Sequence, residues 1–400
     1  MKICYIVYRE DNVMVFDSQV LQYLKAMKAH PEIDEIELIV FRHEENINKK
    51  DEVESKIKQF VNSTKTFISF PILSKAQLDV NAARLKKYIK NRYSISEQVA
   101  VICRGELATY IGAKAFRDHP NSRILFDNRG LPLEESEMRY KDKKIHVINR
   151  KKKRIALNYA KSHCDMYNFV TNAMREYVVQ TYRYNAQLPF TIIPTLYHPE
   201  SVDAAGWDKV VQIEKYEPSQ MVISYIGSTA SWQSTSQLID IITKIATKYK
   251  NSRFMILTKG TIPEIENLPP DIRDRLTVKG VPHSQVKYYL KMSDFGLVIR
   301  DDNIVNQVAA PTKIAEYLTA GVSMLYAGNI GILKDIDTVS SAKRMIAIDQ
   351  NDDWIEKLET IKSAEDKTVD PAIINYFSME VRQRDTIDMI VSSFKASKVK

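Results

Sequence analysis

Short apolar runs alternate with amphipathic helical stretches twice over in this chain, with one break between the two series. That repeated alternation is the pattern of parallel sheets covered by helices, because strands buried on both faces need a helical crossover between them. In the first series Lys2–Tyr8, Glu35–Phe41, Thr66–Phe70, Val99–Cys103, Arg123–Phe126 and Met166–Val170 read as strands. Ser18–Lys28, Ala76–Lys90 and Glu106–Arg117 carry apolar residues at helical spacing. The pattern dissolves after Ile192-Ile193-Pro194, and residues 201–220 read as a linker. A second series follows, with strands at Met221–Tyr225, Arg253–Leu257, Leu276–Lys279, Phe295–Ile299, Val322–Tyr326 and Met345–Ile348. Its helices are Ser236–Lys248, Ser284–Met292, Thr312–Ala320 and Asp352–Ile361. A length of 400 residues exceeds what one core usually supports. The expected architecture is therefore α/β, with two Rossmann-like doubly wound domains, 1–200 and 221–375, facing across a cleft. Residues 376–400 carry a last helix around Ser378–Phe394, expected to cross back to the first domain.

Charge divides the halves. Residues 1–200 hold 33 Lys/Arg against 24 Asp/Glu, and residues 201–400 hold 25 against 26, so the whole net charge of +8 comes from the first half. Its densest stretch runs from Arg139 through Lys141, Lys143 and Lys144 to Arg150-Lys151-Lys152-Lys153-Arg154. Such a run attracts phosphates, and three readings stay open: a solvated helix face, a site for an anionic membrane surface or lipid-linked acceptor, and a nucleic-acid contact. Aromatic residues are sparse within it, which disfavours single-strand nucleic-acid binding. Cys4, Cys103 and Cys164 are scattered without CxxC spacing, so neither a disulfide framework nor a zinc site is indicated. No run approaches 18 consecutive apolar residues, and Lys2–Tyr8 is too short for a signal-peptide core, so the expected location is the cytosol.

The constellation with most chemistry starts at Phe295–Arg300, an apolar strand ending in a cation, and reaches Ala310-Pro311-Thr312-Lys313-Ile314-Ala315-Glu316. Proline suits a helix start, because its missing N–H would have no intrahelical partner there. Unpaired N–H groups at Thr312, Lys313 and Ile314, with the positive end of the helix dipole, make a phosphate site that Arg300 and Lys313 reinforce. Glu316, one turn on, is placed to accept hydrogen bonds from a ribose diol.

The stretch Pro311–Val322 resembles the donor motif of bacterial retaining glycosyltransferases of family 4, which have the GT-B fold. Tyr225-Ile226-Gly227-Ser228 with Trp232-Gln233 resembles the first strand and glycine loop of that family's donor domain, and Gly280-Val281-Pro282-His283 the loop beside the nucleobase. Ser293-Asp294-Phe295 is similar to a further segment. Ile102–Glu106 and Phe126–Leu131, with Glu134 and Glu135, look like motifs of polysaccharide-building members. The resemblance implies a nucleotide-sugar donor bound by Gly227, Ser228, Lys259, Val281, Arg300, Thr312, Lys313 and Glu316. It implies transfer to a lipid-linked glycan acceptor, with Asp127, Arg104 and Arg129 as the catalytic candidates, and neither cofactor nor metal. For Asp127 and Arg129 the alternative is a brace for the turn at Gly130.

Two departures from the family pattern stand out. Counting eight residues back from Glu316 lands on Val308, where the family often has another glutamate, and residues Ser228–Ser234 contain no Arg or Lys. They motivate a second class of function, a non-catalytic GT-B partner of an active transferase; a protein-directed transferase and a sugar-nucleotide epimerase are further alternatives. Asp301-Asp302-Asn303 reads as a turn rather than a metal site. Oligomeric state, donor base, sugar and linkage are not encoded in any motif.

Overall fold

The computed structural model describes residues 1–10, 16–43, 57–69, 75–140, 145–197, 201–227, 234–340, 344–349, 351–363 and 367–396. The chain forms two compact units, Met1–Pro194 together with the C-terminal segment from Met379, and Thr195–Ser378. Ser228, Trp232, Gln233, Lys141, Lys143 and Lys144 lie outside the described residues.

The first unit holds a seven-stranded parallel sheet of β1 (Lys2–Tyr8), β2 (Glu35–Arg42), β3 (Ser63–Ile68), β4 (Val99–Arg104), β5 (Ser122–Asp127), β6 (Met166–Phe169) and β7 (Phe190–Ile192), in the order β3-β2-β1-β4-β5-β6-β7. Its helices include α1 (Gln22–Lys28), α2 (Lys75–Arg92), α3 (Gly105–Ala115), α4 (Pro132–Tyr140), α5 (Ile145–His163) and α6 (Asn172–Thr181). The apolar strands are buried as their composition demands: every residue of Val99–Cys103 is inaccessible to solvent.

The second unit holds β8 (Met221–Ile226), β9 (Ser252–Leu257), β10 (Leu276–Lys279), β11 (Phe295–Ile299), β12 (Ser323–Ala327) and β13 (Met345–Ala347), in the order β10-β9-β8-β11-β12-β13. Segment 201–220 is not featureless: it contains α7 (Ala204–Glu214), started by the Asp203 carboxylate accepting from Gly206 N at 2.7 Å. Its Trp207, Val210 and Val211 stripe packs with Val222, Met255, Tyr288 and Tyr289 on one face of the sheet. The other face is covered by α8 (Thr235–Lys248), which buries Leu238, Ile239, Ile241, Ile242 and Ile245 against Tyr225, Phe254, Phe295 and Trp354. At about 1.5–3 kcal/mol per fully buried aliphatic side chain, that stripe outweighs the helix's intrinsic preference, which its isoleucines lower. The remaining helices of this unit include α9 (His283–Met292), α10 (Ile304–Gln307), α11 (Thr312–Thr319), α12 (Gly331–Val339), α13 (Asp353–Ser363) and α14 (Pro371–Phe377). The last helix, α15 (Met379–Ala396), belongs to the first unit, where it packs on α1, β5 and β7.

One carboxylate is buried in the first sheet's flank. Glu37 on β2 is 1% exposed. It accepts hydrogen bonds from Tyr88 Oη and Tyr93 Oη, both at 2.6 Å, and from Ser63 Oγ at 3.0 Å, with Arg92 Nε at 3.4 Å. Four donors around one carboxylate compensate its desolvation, and removing it leaves the Tyr88, Tyr93 and Ser63 hydroxyls without this acceptor while Arg92 keeps its pair with Glu35. Glu37→Ala is expected to cost about 3 kcal/mol or more, against about 1 kcal/mol for Ser63→Ala, in urea-unfolding midpoints of the two variants.

Candidate functional site

In the second sheet the strand order reverses between β8 and β11, which pair side by side. Crossovers leave such a point in opposite directions, so the carboxyl ends of the two strands open a crevice where α/β sheets hold ligands. β8 delivers Gly227 to it, and β11 delivers Arg300.

Arg300 is held from below. Its Nη1 donates to Asn306 Oδ1 at 3.2 Å, while Asn306 Nδ2 donates to Asp301 O at 2.9 Å and Asn306 N to Asn303 Oδ1 at 3.0 Å. Asn303 is thus the cap of α10, and Asp301-Asp302-Asn303 form the turn and cap that fix Asn306. Asn306 itself is buried.

Pro311 caps α11 without a side-chain hydrogen bond, and the residues from Lys313 to Thr319 are all buried. Glu316 is 5% exposed, which excludes a solvated helix acid. The helix is pinned by Tyr317, whose Oη accepts from Ile226 N at 3.0 Å and donates to Ser224 O at 3.2 Å. Its ring lies where a Cβ at Gly296 would stand, so the strand must carry glycine there for α11 to approach. Lys313 Nζ sits over the Tyr225 ring, 4.1 Å from its centroid, a cation–π contact. Burial pushes the Lys313 ammonium well below its ordinary pKa, the Arg300 charge pushes it further the same way, and Glu316 opposes both. Burial also lowers Arg300 and raises the Glu316 carboxyl, the latter against the pull of His283 and Lys313. His283 Nδ1 is 4.0 Å from Glu316 Oε1. A buried lysine with a half-buried arginine beside it at a helix start favours a ligand of high negative charge.

Of the other donor-site residues read from the sequence, Thr312 is half-buried in the first turn of α11. Lys259 is exposed beyond the end of β9, beside Gly280, and Val281 packs on the cluster of Val210 and Tyr288. Tyr225, His283 and Tyr317, which lie in stretches that the family resemblance marked but were given no site role, and Asn306, which lies in none, complete the site; each comes from a different element and meets the others only in the fold.

The first unit brings together Arg104, Asp127 and Arg129. Asp127, at the end of β5, is 1% exposed, with Arg104 Nη1 at 3.5 Å from one oxygen and Arg129 Nη1 at 3.6 Å from the other. Arg129 Nη1 also donates to Ile193 O at 2.9 Å, and Arg104 Nε lies 3.5 Å from Glu10. Asp127 is therefore enclosed between two guanidinium groups. Glu135 Oε1 accepts from Leu131 N at 3.1 Å and braces the turn at Gly130; Glu134 accepts from Tyr177 and Tyr182.

The basic run on α5 is not one exposed patch. Lys151 and Arg154 are exposed, Arg150 Nη2 pairs with Glu137 at 3.1 Å, and Lys153 Nζ donates to Pro132 O at 3.1 Å. Lys152 is buried. A helix turns successive side chains by about 100°, so five consecutive cations cannot share one face. Val147 and Ile148, one turn before Lys151, are exposed.

No protein-family model matches this sequence, and no curated protein sequence matches it. Solved structures do resemble it over their whole length. The N-terminal domain of Candida albicans trehalose-6-phosphate phosphatase superposes with a TM-score of 0.62 at 12% identity, over 98% of this chain and 97% of that one. A glycosyltransferase from Rickettsia africae gives 0.61 at 12% identity over 98% of both chains. Anabaena Alr3699/HepE, solved in complex with UDP-glucose, gives 0.60 at 12% identity over 100% of both. At this identity the likeness establishes the fold: two Rossmann-like domains of the GT-B type, with GT-B glycosyltransferases among the structural neighbours.

Lys313 fixes the sign of a stability effect. With its folded pKa depressed, the unfolded chain binds more protons as pH rises from the folded pKa towards about 10.4, so this residue's destabilising effect is full below the folded pKa and fades as pH climbs from there to the unfolded value. Lys313→Met is expected to raise the melting temperature of the ligand-free protein at pH 7, with the gain shrinking towards pH 10 in thermal scans. Asp127→Asn is expected to lower stability by about 3 kcal/mol in chemical denaturation, since it leaves two part-buried guanidinium groups facing a neutral amide.

Proposed function

We propose that this protein is a glycosyltransferase that moves a sugar from a nucleoside-diphosphate donor to a glycan acceptor, with the donor held in the second unit. The observation that carries the reading is half-buried Arg300 at the carboxyl end of β11 beside buried Lys313 in the first turn of α11, with buried Glu316 one turn beyond. Ile314 N, expected to be unpaired, donates to Pro311 O at 3.1 Å; a diphosphate neutralises both cations and accepts from the Thr312 N–H at the start of α11, and the carboxylate of Glu316 takes the ribose hydroxyls. The same donors then stabilise charge growing on the departing diphosphate, so the transfer needs no protein nucleophile. The neighbour solved with UDP-glucose supports this class of donor.

The family resemblance extends the proposal to retention of configuration and to a lipid-linked acceptor in bacterial surface-polysaccharide synthesis. Exposed Lys151 and Arg154 on α5, with exposed Val147 and Ile148 one turn before, suit a peripheral stay at an anionic membrane face. Among the described residues no helix is long and apolar enough to cross a membrane. The second reading, a non-catalytic partner of an active transferase, draws on Val308, a buried valine where the family often carries an acid.

Thermal shift with UDP, GDP, ADP and CMP and their sugar conjugates tests the donor site. One nucleoside diphosphate is expected to raise the melting temperature of the wild type, and Glu316→Ala and Lys313→Met to lose most of that rise. Hydrolysis or transfer from the matching sugar nucleotide separates the two readings: binding with neither reaction supports the non-catalytic partner.

A further inference from the structure

The arginines at the sheet ends are held in two different ways. Arg104 faces Glu10 and Asp127, Arg129 faces Asp127, and Arg92 faces Glu35 and Glu37, so each is held by a carboxylate that also balances its charge. Arg300 has no carboxylate within ion-pair distance among the described residues. Its Nη1 donates to the neutral amide of Asn306 at 3.2 Å, and its Nε is buried without a hydrogen-bond partner. The two acids that follow it in the chain, Asp301 and Asp302, are exposed, and Asp302 Oδ1 accepts from Gln307 Nε2 at 2.8 Å.

The loop that carries Asn306 is fastened along its length. Arg300 N donates to Ala327 O at 3.1 Å, Ala309 N to Asn306 O at 3.0 Å, Ile332 N to Ala309 O at 3.1 Å, and Thr195 Oγ1 to Ala310 O at 2.7 Å. Gly328, with φ +92°, has the Arg300 carbonyl where a Cβ would stand, so β12 ends hard against the strand end that bears the arginine. Within this frame Asn306 Nδ2 is engaged by Asp301 O, which turns Oδ1 to the guanidinium. An amide oxygen orients a guanidinium without cancelling its charge, whereas a carboxylate in the same place forms an ion pair and competes with any phosphate. An arginine oriented beforehand also loses less rotamer freedom when a ligand arrives.

We propose that Asn306 is a positioning residue of the donor site, whose neutral amide orients Arg300 for a nucleoside diphosphate while leaving the guanidinium its full charge. This rests on the donor reading above. It deepens that reading by assigning Asn306 and its capped turn to the orientation of one cation rather than to the general support of the loop.

Calorimetric titration of the full chain with UDP, GDP, ADP and CDP tests this in the wild type, Arg300→Met, Asn306→Ala, Asn306→Asp and the double variant Asn306→Ala with Arg300→Met. One nucleoside diphosphate is expected to bind the wild type, about tenfold or more weaker in Arg300→Met and about fivefold or more weaker in Asn306→Ala. Asn306→Asp keeps the shape and an oxygen facing Arg300, and it is expected to weaken binding at least as much as Asn306→Ala, because its charge pairs with the guanidinium. In the double variant the Asn306 substitution is expected to add less than about twofold to the Arg300 loss, since an effect passed through Arg300 disappears with it. Where ligand-free melting shows that Asn306→Ala does not fold, Asn306→Ser, too short to reach Arg300, takes its place in the cycle. Wild-type affinity in Asn306→Ala or in Asn306→Asp overturns the proposal. A full, additive loss in the double variant overturns it as well, being the mark of a residue that only props the loop. Diphosphate binding that depends on Arg300 but not on Asn306 sinks this proposal and leaves the donor reading standing, whereas a wild type that binds none of the four diphosphates overturns both.

Discussion

The reversal of strand order, once in each sheet, is the constraint on which the rest of the molecule depends. Right-handed crossovers from neighbouring parallel strands must leave to opposite faces at that point, and no connection covers the carboxyl ends between them. Between β8 and β11 that opening receives Arg300 and the start of α11; between β1 and β4 it receives Arg9, Arg104 and the start of α3. Helix starts and cations therefore converge without any local motif having to specify both.

Burial then gives these groups their chemistry. A lysine in water is an indifferent cation, whereas Lys313 against the Tyr225 ring and Lys152 on the inner side of α5 are held where burial lowers the pKa of the ammonium. Such positions lower stability, and they persist in folds where a ligand repays the cost. Glu37 shows the contrasting solution, a buried charge satisfied internally by Tyr88, Tyr93, Ser63 and Arg92.

Much of the scaffold was legible in order and period. The strands Lys2–Tyr8 and Phe295–Ile299 have the bounds that their apolar runs predict, since a strand buried on both faces needs an uninterrupted run; Leu276–Lys279, a half-exposed edge strand, has its expected bounds as well. β3 begins three residues earlier than expected, at Ser63, because an edge strand pairs through its backbone and tolerates the polar Ser63, Thr64 and Lys65. α7 escaped notice within a polar stretch, although Trp207, Val210 and Val211 form its inner stripe. Arg300, Lys313 and Glu316 were legible because a strand end and a helix start announce themselves locally. Asn306, His283 and Tyr225 were not, because their roles arise from contacts between elements far apart in the chain.

By itself the sequence determined two α/β units, the positions of most strands and the start of α11 behind Pro311, because periodicity and proline act through near neighbours. It also placed the excess of positive charge in the first half. Only the tertiary structure decided which of those charges face water. On α5 it turned Lys151 and Arg154 outward and Lys152 inward, and at the end of β5 it enclosed Asp127 between Arg104 and Arg129. The physical reason is that burial belongs to packed surfaces: a residue's charge is written in its side chain, but the cost of that charge is set by whatever the fold lays against it.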